Sequence, residues 1–301
     1  MYVNTLSDYL KEQFGEKIYK LSLNANMTCP NRDGKIGYGG CIFCSEGGSG
    51  EFCADKNLSI TQQIEQAKDK VAKKINNGRY IAYFQSFTNT YAHVDYLEKI
   101  FTEAIEDESI VALSIATRPD CLPDDILRML KKLNKIKPVW IELGLQTIHK
   151  RTADLINRGY ELDVFETAVK NLKKIGVQIV VHIIIGLPFE TKRQILQTVS
   201  YVGRLGADGI KLQLLHVLKN TELEKMYQNG EFQVLSEEEY IDILFECIKV
   251  LPKEVVIHRM TGDGDKRLLI APLWSANKRE VLNRINRELK LRNIEQGSVT
   301  I

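Results

Sequence analysis

The chain of 301 residues has no apolar run long enough to cross a membrane; the longest, around Val177 to Ile185, is interrupted by Gln178 and His182. Its first residues, MYVNTLSDYLKEQFGEK, carry acids and lack an apolar core segment, so they read as neither a secretory leader nor a basic transit peptide. The expectation is a cytoplasmic protein with no membrane partner. Net charge is also scarce: 41 Lys plus Arg against 39 Asp plus Glu leave +2, which neither announces nor excludes a nucleic-acid partner. There is no low-complexity segment, no sharp linker, and no internal repeat beyond the alternation of strand and helix patterns. Only six cysteines are present, but four of them fall between positions 29 and 53. In a cytosolic chain such clustering points to metal or redox chemistry more often than to disulfides.

What is present is a core-forming composition, 44% apolar and 27% charged, arranged in a β/α rhythm. Residues 18–24 read as a strand. Residues 25–55, rich in Gly, Cys and Asn, read as a long ordered loop, and loops of that length inside a compact domain are usually functional. Ser59 is placed to N-cap a helix running to Ile75, with Gln62 or Gln63 in its first turn. Strands at 79–85, 110–116, 138–146, 177–185 and 208–215 then alternate with helices at 94–106, 123–134, 149–157, 162–174 and 190–204. Gly176 stops the fourth of these helices. Six apolar strands separated by helices predict a parallel sheet with right-handed crossovers, covered on both faces. The fold class is α/β, with residues 1–218 as the core. Residues 219–301 form a C-terminal extension packed on it: an amphipathic helix at 236–250, a strand at 254–258, the loop TGDGDKR and a basic helix at 276–292.

Cys41 and Cys44 form a C-x-x-C pair, which brings two thiols to one centre from one turn. Cys29 precedes Cys41 by eleven intervening residues, and Gly34, Gly37, Gly39 and Gly40 let that stretch fold back. The cysteines alone fit a Cys₄ zinc site, with Cys53 as fourth ligand, as well as they fit an iron–sulfur site one ligand short. A catalytic disulfide has less support, because no thioredoxin-like context surrounds the pair. The loop follows the first strand, at the C-terminal face where barrel-like α/β folds carry their sites.

The loop, together with motifs at later strand ends, resembles radical S-adenosylmethionine (SAM) enzymes, and within them the YhcC/YtqA-like group with widened cysteine spacing. The resemblance runs over about residues 15–275 in the order of its motifs. It implies a partial (β/α)6 barrel in which Cys29, Cys41 and Cys44 bind a [4Fe–4S] cluster whose open iron position takes SAM. Phe43 matches the aromatic beside the SAM adenine. Gln85 and Ser86 stand where relatives have a Gly-Gly-Glu turn for the SAM amino group, and Thr117 ends the third strand on the same rim. Leu143-Gly144-Leu145-Gln146-Thr147 looks like the L-G-V-Q-S motif. Arg158 follows Gln146 by twelve residues, the spacing at which relatives contact SAM, the arginine meeting its carboxylate. His182 replaces the usual ribose-binding aspartate, Gly186-Leu187-Pro188 matches the adenine turn, and Leu215 falls at the adenine wall. An interior lined by apolar strands is expected to protect the radical.

The substrate is less visible. Thr88-Asn89-Thr90-Tyr91 and Thr117-Arg118-Pro119-Asp120 are candidate contacts, and loop 258–267 reads either as a cover over the barrel mouth or as a solvent loop. Helix 276–292 carries six basic and two acidic residues, with Val281, Leu282, Ile285 and Leu289 as an apolar stripe and Arg284 and Arg287 away from it. The resemblance implies tRNA as partner, with a wobble-uridine side chain converted from carboxymethylaminomethyl to aminomethyl, and a flavodoxin- or ferredoxin-type electron donor. A radical SAM enzyme acting on a small metabolite or a protein, and a zinc-stabilised RNA-binding or scaffold protein, are the alternatives.

Overall fold

The structure, a computed structural model, describes residues 3–72, 78–262 and 264–300. Parallel strands β1 (Tyr19–Leu23), β2 (Tyr80–Phe84), β3 (Ile110–Thr117), β4 (Val139–Gln146), β5 (Gln178–Ile185) and β6 (Gly209–Leu214) lie side by side in chain order. Past them come β7 (Val217–Leu218), β8 (Val256–Arg259) and β9 (Leu269–Ala271). β8 pairs parallel to β6 as the seventh strand of the main sheet, whereas β7 and β9 form a small antiparallel ribbon. The strand read as part of an extension is therefore built into the main sheet, which has seven strands where the sequence pattern predicts six.

The helices form where the chain supplies caps. α2 (Ile60–Val71), α7 (Lys192–Arg204) and α9 (Glu237–Val250) each open with a capping box, made by Ser59 with Gln62, Thr191 with Gln194, and Ser236 with Glu239. The predicted end of the second helix at 73–75 lies outside the described residues. Between these run α3 (Val94–Glu106), α4 (Asp124–Leu133), α5 (Lys150–Leu155), α6 (Leu162–Ile175) and α8 (Glu222–Gln228), and α10 (Lys278–Leu291) follows. Gly176, at φ 75°, ends α6 in the left-handed conformation that glycine adopts without strain.

The sheet curls into a half-barrel. β2 and β6 are four strand spacings apart, about 19 Å if the sheet were flat. Yet Lys211 Nζ on β6 donates to Tyr83 Oη on β2 at 2.9 Å, which only a closed-up sheet permits. The bottom is plugged by α1 (Leu6–Phe14), a helix that the sequence reading passed over. Its Leu10 joins Ile18, Ile81, Ala112 and Trp140 in an apolar cluster. Among the described residues, no helix is long and apolar enough to cross a membrane.

Candidate active site

A cavity opens at the C-terminal ends of the strands. Cys29, Cys41, Phe43 and Cys44 line it from the loop, and Gln85, Thr117, Gln146, Arg158, His182 and Leu215 line it from the sheet side. Arg259, Gly262 and Gly264 close part of the mouth. Of the two readings of the loop at 258–267, its described residues fit the one that returns over the barrel; Asp263 is outside the described residues. His216 explains its glycines: a Cβ on Gly262 or Gly264 would come within 2.4 or 2.6 Å of the imidazole.

The cysteine loop is held by groups that the sequence reading did not single out. Asn31 Nδ2 donates to Asn157 O at 2.6 Å, and Asn157 Nδ2 returns a bond to Gly40 O at 2.8 Å. Arg32 Nη2 grips Cys44 O and Ser45 O at 2.8 and 2.6 Å. Cys44 N–H donates to Cys41 O at 3.0 Å, forming the tight turn expected of C-x-x-C. Burial pushes the Cys41 thiol up to about 12, and neighbouring Cys44 adds to the rise while Arg118 opposes it. Burial also raises Cys44, against the pull of Arg32.

Thiols with such surroundings become thiolates only when a cation shares the site. Three of them facing one cavity, with Arg32 and Arg118 beside them, fit a cluster that keeps one iron for a further ligand. Among the described residues no three or more His, Cys, Asp or Glu side chains stand ready in metal-ligand geometry. Cys53 does not line the cavity; burial raises its thiol to about 11, against the opposing influence of Ser86. A Cys₄ zinc site would have to move it.

Gln146 sits at a register shift between β4 and β5, at φ 66°, with its Oε1 buried and unpartnered. An orphaned acceptor at a cavity wall fits a donor on a bound molecule, as the amino group of SAM would be. Arg158 has a different task from the one its spacing suggests. Its guanidinium is almost fully buried and donates to Tyr160 O, Leu145 O and Thr147 O, at 2.6 to 3.2 Å. Four of its five N–H groups are thus engaged with backbone, so a paired grip on a carboxylate is not open to it.

Other predicted contacts are also displaced. Ser86 is buried beneath the turn at Gly50 and does not line the cavity. Gly186 (φ 93°) faces Leu235, whose Cδ1 would lie 3.1 Å from an added Cβ, and Leu187 and Pro188 are buried away from the cavity wall. Ile184, Leu214 and Leu215 supply the apolar wall in their place. Gln85 lines the rim and its Nε2 donates to Ser49 O at 2.7 Å, while Thr117 and Thr90 hydroxyls pair at 2.6 Å.

The barrel interior is charged, contrary to the apolar expectation. His182 lines the cavity and its Nε2 meets Glu142 Oε2 at 2.7 Å. Lys20 Nζ bonds Glu142 Oε1 at 2.6 Å, and Lys211 bonds Glu142 Oε2. Burial raises Glu142, but Lys20, Lys211 and His182 outweigh it and hold its carboxyl well below the usual range. Burial and Lys211 push His182 down to about 4, so at neutral pH it is uncharged and donates to Glu142. The signal was in the sequence: one charge apiece in the apolar strands YKLSL, VWIELGLQ and GIKLQL.

The chain matches the family described as the Radical SAM superfamily over residues 28–202, and the Radical_SAM C-terminal domain over residues 207–291. It is 44% identical to YtqA of Bacillus subtilis over 294 residues, covering 98% of this chain and 91% of that protein. It is 36% identical to YhcC of Escherichia coli strain K12 over 297 residues, covering 98% and 94%. Among solved structures it resembles Elp3 of the archaeon Methanocaldococcus infernus, with TM-score 0.71 and 17% identity over 93% of this chain and 64% of that one. It also resembles methylornithine synthase (PylB), with TM-score 0.54 and 12% identity over 95% and 86%. At those identities the structural likeness speaks for the fold.

Proposed function

The chain belongs to the radical SAM superfamily, is an enzyme of that class using a [4Fe–4S] cluster and SAM, and, we propose, acts on tRNA at a wobble-uridine side chain. The observation that carries the chemistry is the placement of Cys29, Cys41 and Cys44 on one wall of a cavity at the strand ends. When bound, cluster and SAM supply a 5′-deoxyadenosyl radical that removes a hydrogen atom from substrate. The three thiols hold the cluster; Gln146 Oε1 accepts from SAM; Phe43, Ile184, Leu214 and Leu215 give its adenine an apolar wall. Loop 258–267 and the plugged barrel bottom keep water from the interior.

The substrate reading draws on more distant relatives. The chain is 24% identical to the tRNA uridine(34) acetyltransferase of Methanocaldococcus jannaschii, over 86% of this chain and 54% of that protein. A carboxymethylaminomethyl group offers a methylene between nitrogen and carboxylate, whose C–H bond both neighbours weaken. That methylene is the expected hydrogen donor; loss of a second electron, back to the cluster, would leave an imine that water splits into the aminomethyl group and glyoxylate, and a flavodoxin- or ferredoxin-type protein is the electron source. The test uses reconstituted holoenzyme and tRNA bearing that group with deuterium on the methylene. Deuterium in 5′-deoxyadenosine and new aminomethyluridine support the reading. Unchanged nucleosides overturn it and return a small metabolite or a protein as substrate.

A further inference from the structure

The turn after β5 carries a side chain that the fold does not use. Phe189 is 60% exposed and holds φ at 63°, a left-handed conformation that is costly for a bulky residue. Its neighbours Leu187 and Pro188 are buried, and Glu190 N–H closes the turn on Leu187 O at 3.1 Å. The Glu190 carboxylate turns inward and accepts from the Thr147 hydroxyl. Thr147 follows Gln146 of the cavity wall, so the turn is tied to the mouth of the active site. Two cations come next. Lys192 and Arg193 open α7, are exposed, and have no ion pair among the described residues. The first turn of a helix disfavours positive charge, and no acid stands there to offset it, so helix stability does not account for them. A groove runs from them along α7, lined also by Leu196, Gln197, Ser200 and Arg204.

We propose that this turn is a platform for single-stranded RNA, on which a base stacks against Phe189 and the flanking phosphates meet Lys192 and Arg193. The proposal rests on the function proposed above and names one place where the anticodon loop is held beside the cavity. A lone exposed aromatic is ordinary on a protein surface. Here the strained backbone, the two cations without acidic partners and the groove converge on one spot. An unpaired nucleotide offers what that spot lacks: a π-face that stacks whatever the base, and a phosphate for the charge. A base held on the rim leaves its neighbour in the strand free to enter the cavity.

Phe189→Gly is the deciding variant. Glycine adopts φ 63° without strain, so this protein should melt no lower than native. Its affinity for a fluorescein-labelled anticodon stem-loop, read by anisotropy, should fall about tenfold, and Phe189→Tyr should keep native affinity. Lys192→Gln with Arg193→Gln should weaken binding and reduce the salt slope by about 1.4, whereas Phe189→Gly should leave the slope unchanged. A blunt RNA duplex, with no unstacked base, should bind native and Phe189→Gly proteins alike. Release of 5′-deoxyadenosine without RNA should be the same in every variant. Equal stem-loop affinity in native and Phe189→Gly proteins overturns the platform, as does a native protein that binds no RNA at low salt. A Phe189→Gly protein that melts below native also overturns it, since the ring would then serve the fold. Stem-loop binding that depends on Phe189, with the tRNA nucleosides unchanged, overturns the proposed function and keeps the platform. Modification of tRNA at native kcat/KM in Phe189→Gly does the reverse.

Discussion

Gln146 keeps a backbone conformation that residues with a Cβ seldom adopt, and leaves its amide oxygen buried and unpaired. Replacing it by Ala removes an acceptor meant for a ligand, so SAM affinity should fall about tenfold with little change in stability. Calorimetry beside a urea melt separates the two. Arg158 should behave in the opposite way. Arg158→Lys strands carbonyls of Leu145, Thr147 and Tyr160, and should lower stability by about 2–4 kcal/mol. Cys29→Ala, Cys41→Ala or Cys44→Ala should abolish iron and sulfide uptake, and Cys53→Ala should leave it intact. A Cys53 variant without a cluster would end the three-ligand reading. The cysteine cluster was legible in its spacing, its chemistry and Gln146 only through the motif resemblance. The task of Arg158 was not, because a sequence shows a charge and not the carbonyls around it.

The helices inherited their limits from local chemistry, and capping boxes at Ser59, Thr191 and Ser236 made their starts readable. α1 was readable as well, from Thr5 as N-cap and an apolar face through Leu10, but its purpose needs the curled sheet. In α10 the stripe holds: Val281, Ile285 and Leu289 are buried. The basic face is altered by tertiary contacts. Arg284 Nη1 pairs with Glu237 of α9 at 2.8 Å and its Nε with Glu288 at 3.2 Å, so it is poorly placed for phosphate. Arg279, Arg287 and Lys290 remain exposed. If tRNA is the partner, Arg279→Glu with Arg287→Glu should weaken binding of all tRNAs and reduce the salt slope by about 2, whereas Arg284→Glu should not. Filter retention at several salt concentrations reads both.

For the whole molecule, the buried charge layer links stability to pH. Burial and Lys211 hold His182 at about 4, against 6.5 for a free histidine. The unfolded chain takes up this proton as pH falls through 6.5, and the folded chain does not until about 4. The contribution is therefore complete above pH 6.5 and lost on the way down to 4, about 3 kcal/mol in all. His182→Gln keeps a donor for Glu142 without titrating, so its melting temperature should fall less steeply between those limits. The main β/α order was legible from periodicity. The single charges in the apolar strands were visible one by one, but not that they form one layer, because its members come from β1, β2, β4, β5, β6 and β8 and meet only when the sheet bends.

The strand order has a consequence for how the protein is made. Each strand from β2 to β6 pairs with the one synthesised before it, so the sheet can grow as the chain leaves the ribosome. The bottom cannot close on that schedule. Thr5 bridges to Ile257, and Asn4 N–H donates to Gln296 Oε1 at 2.9 Å. The tether of Thr5, which caps α1, must wait for β8, nearly the last strand, although Leu10 can already pack on Ile81, Ala112 and Trp140. Until then the open edge of β6 is a hazard for aggregation, and the untethered segment before α1 a target for proteases. A chain stalled near residue 218 should be cut readily around Asn4 and Thr5, and one released after β8 should resist.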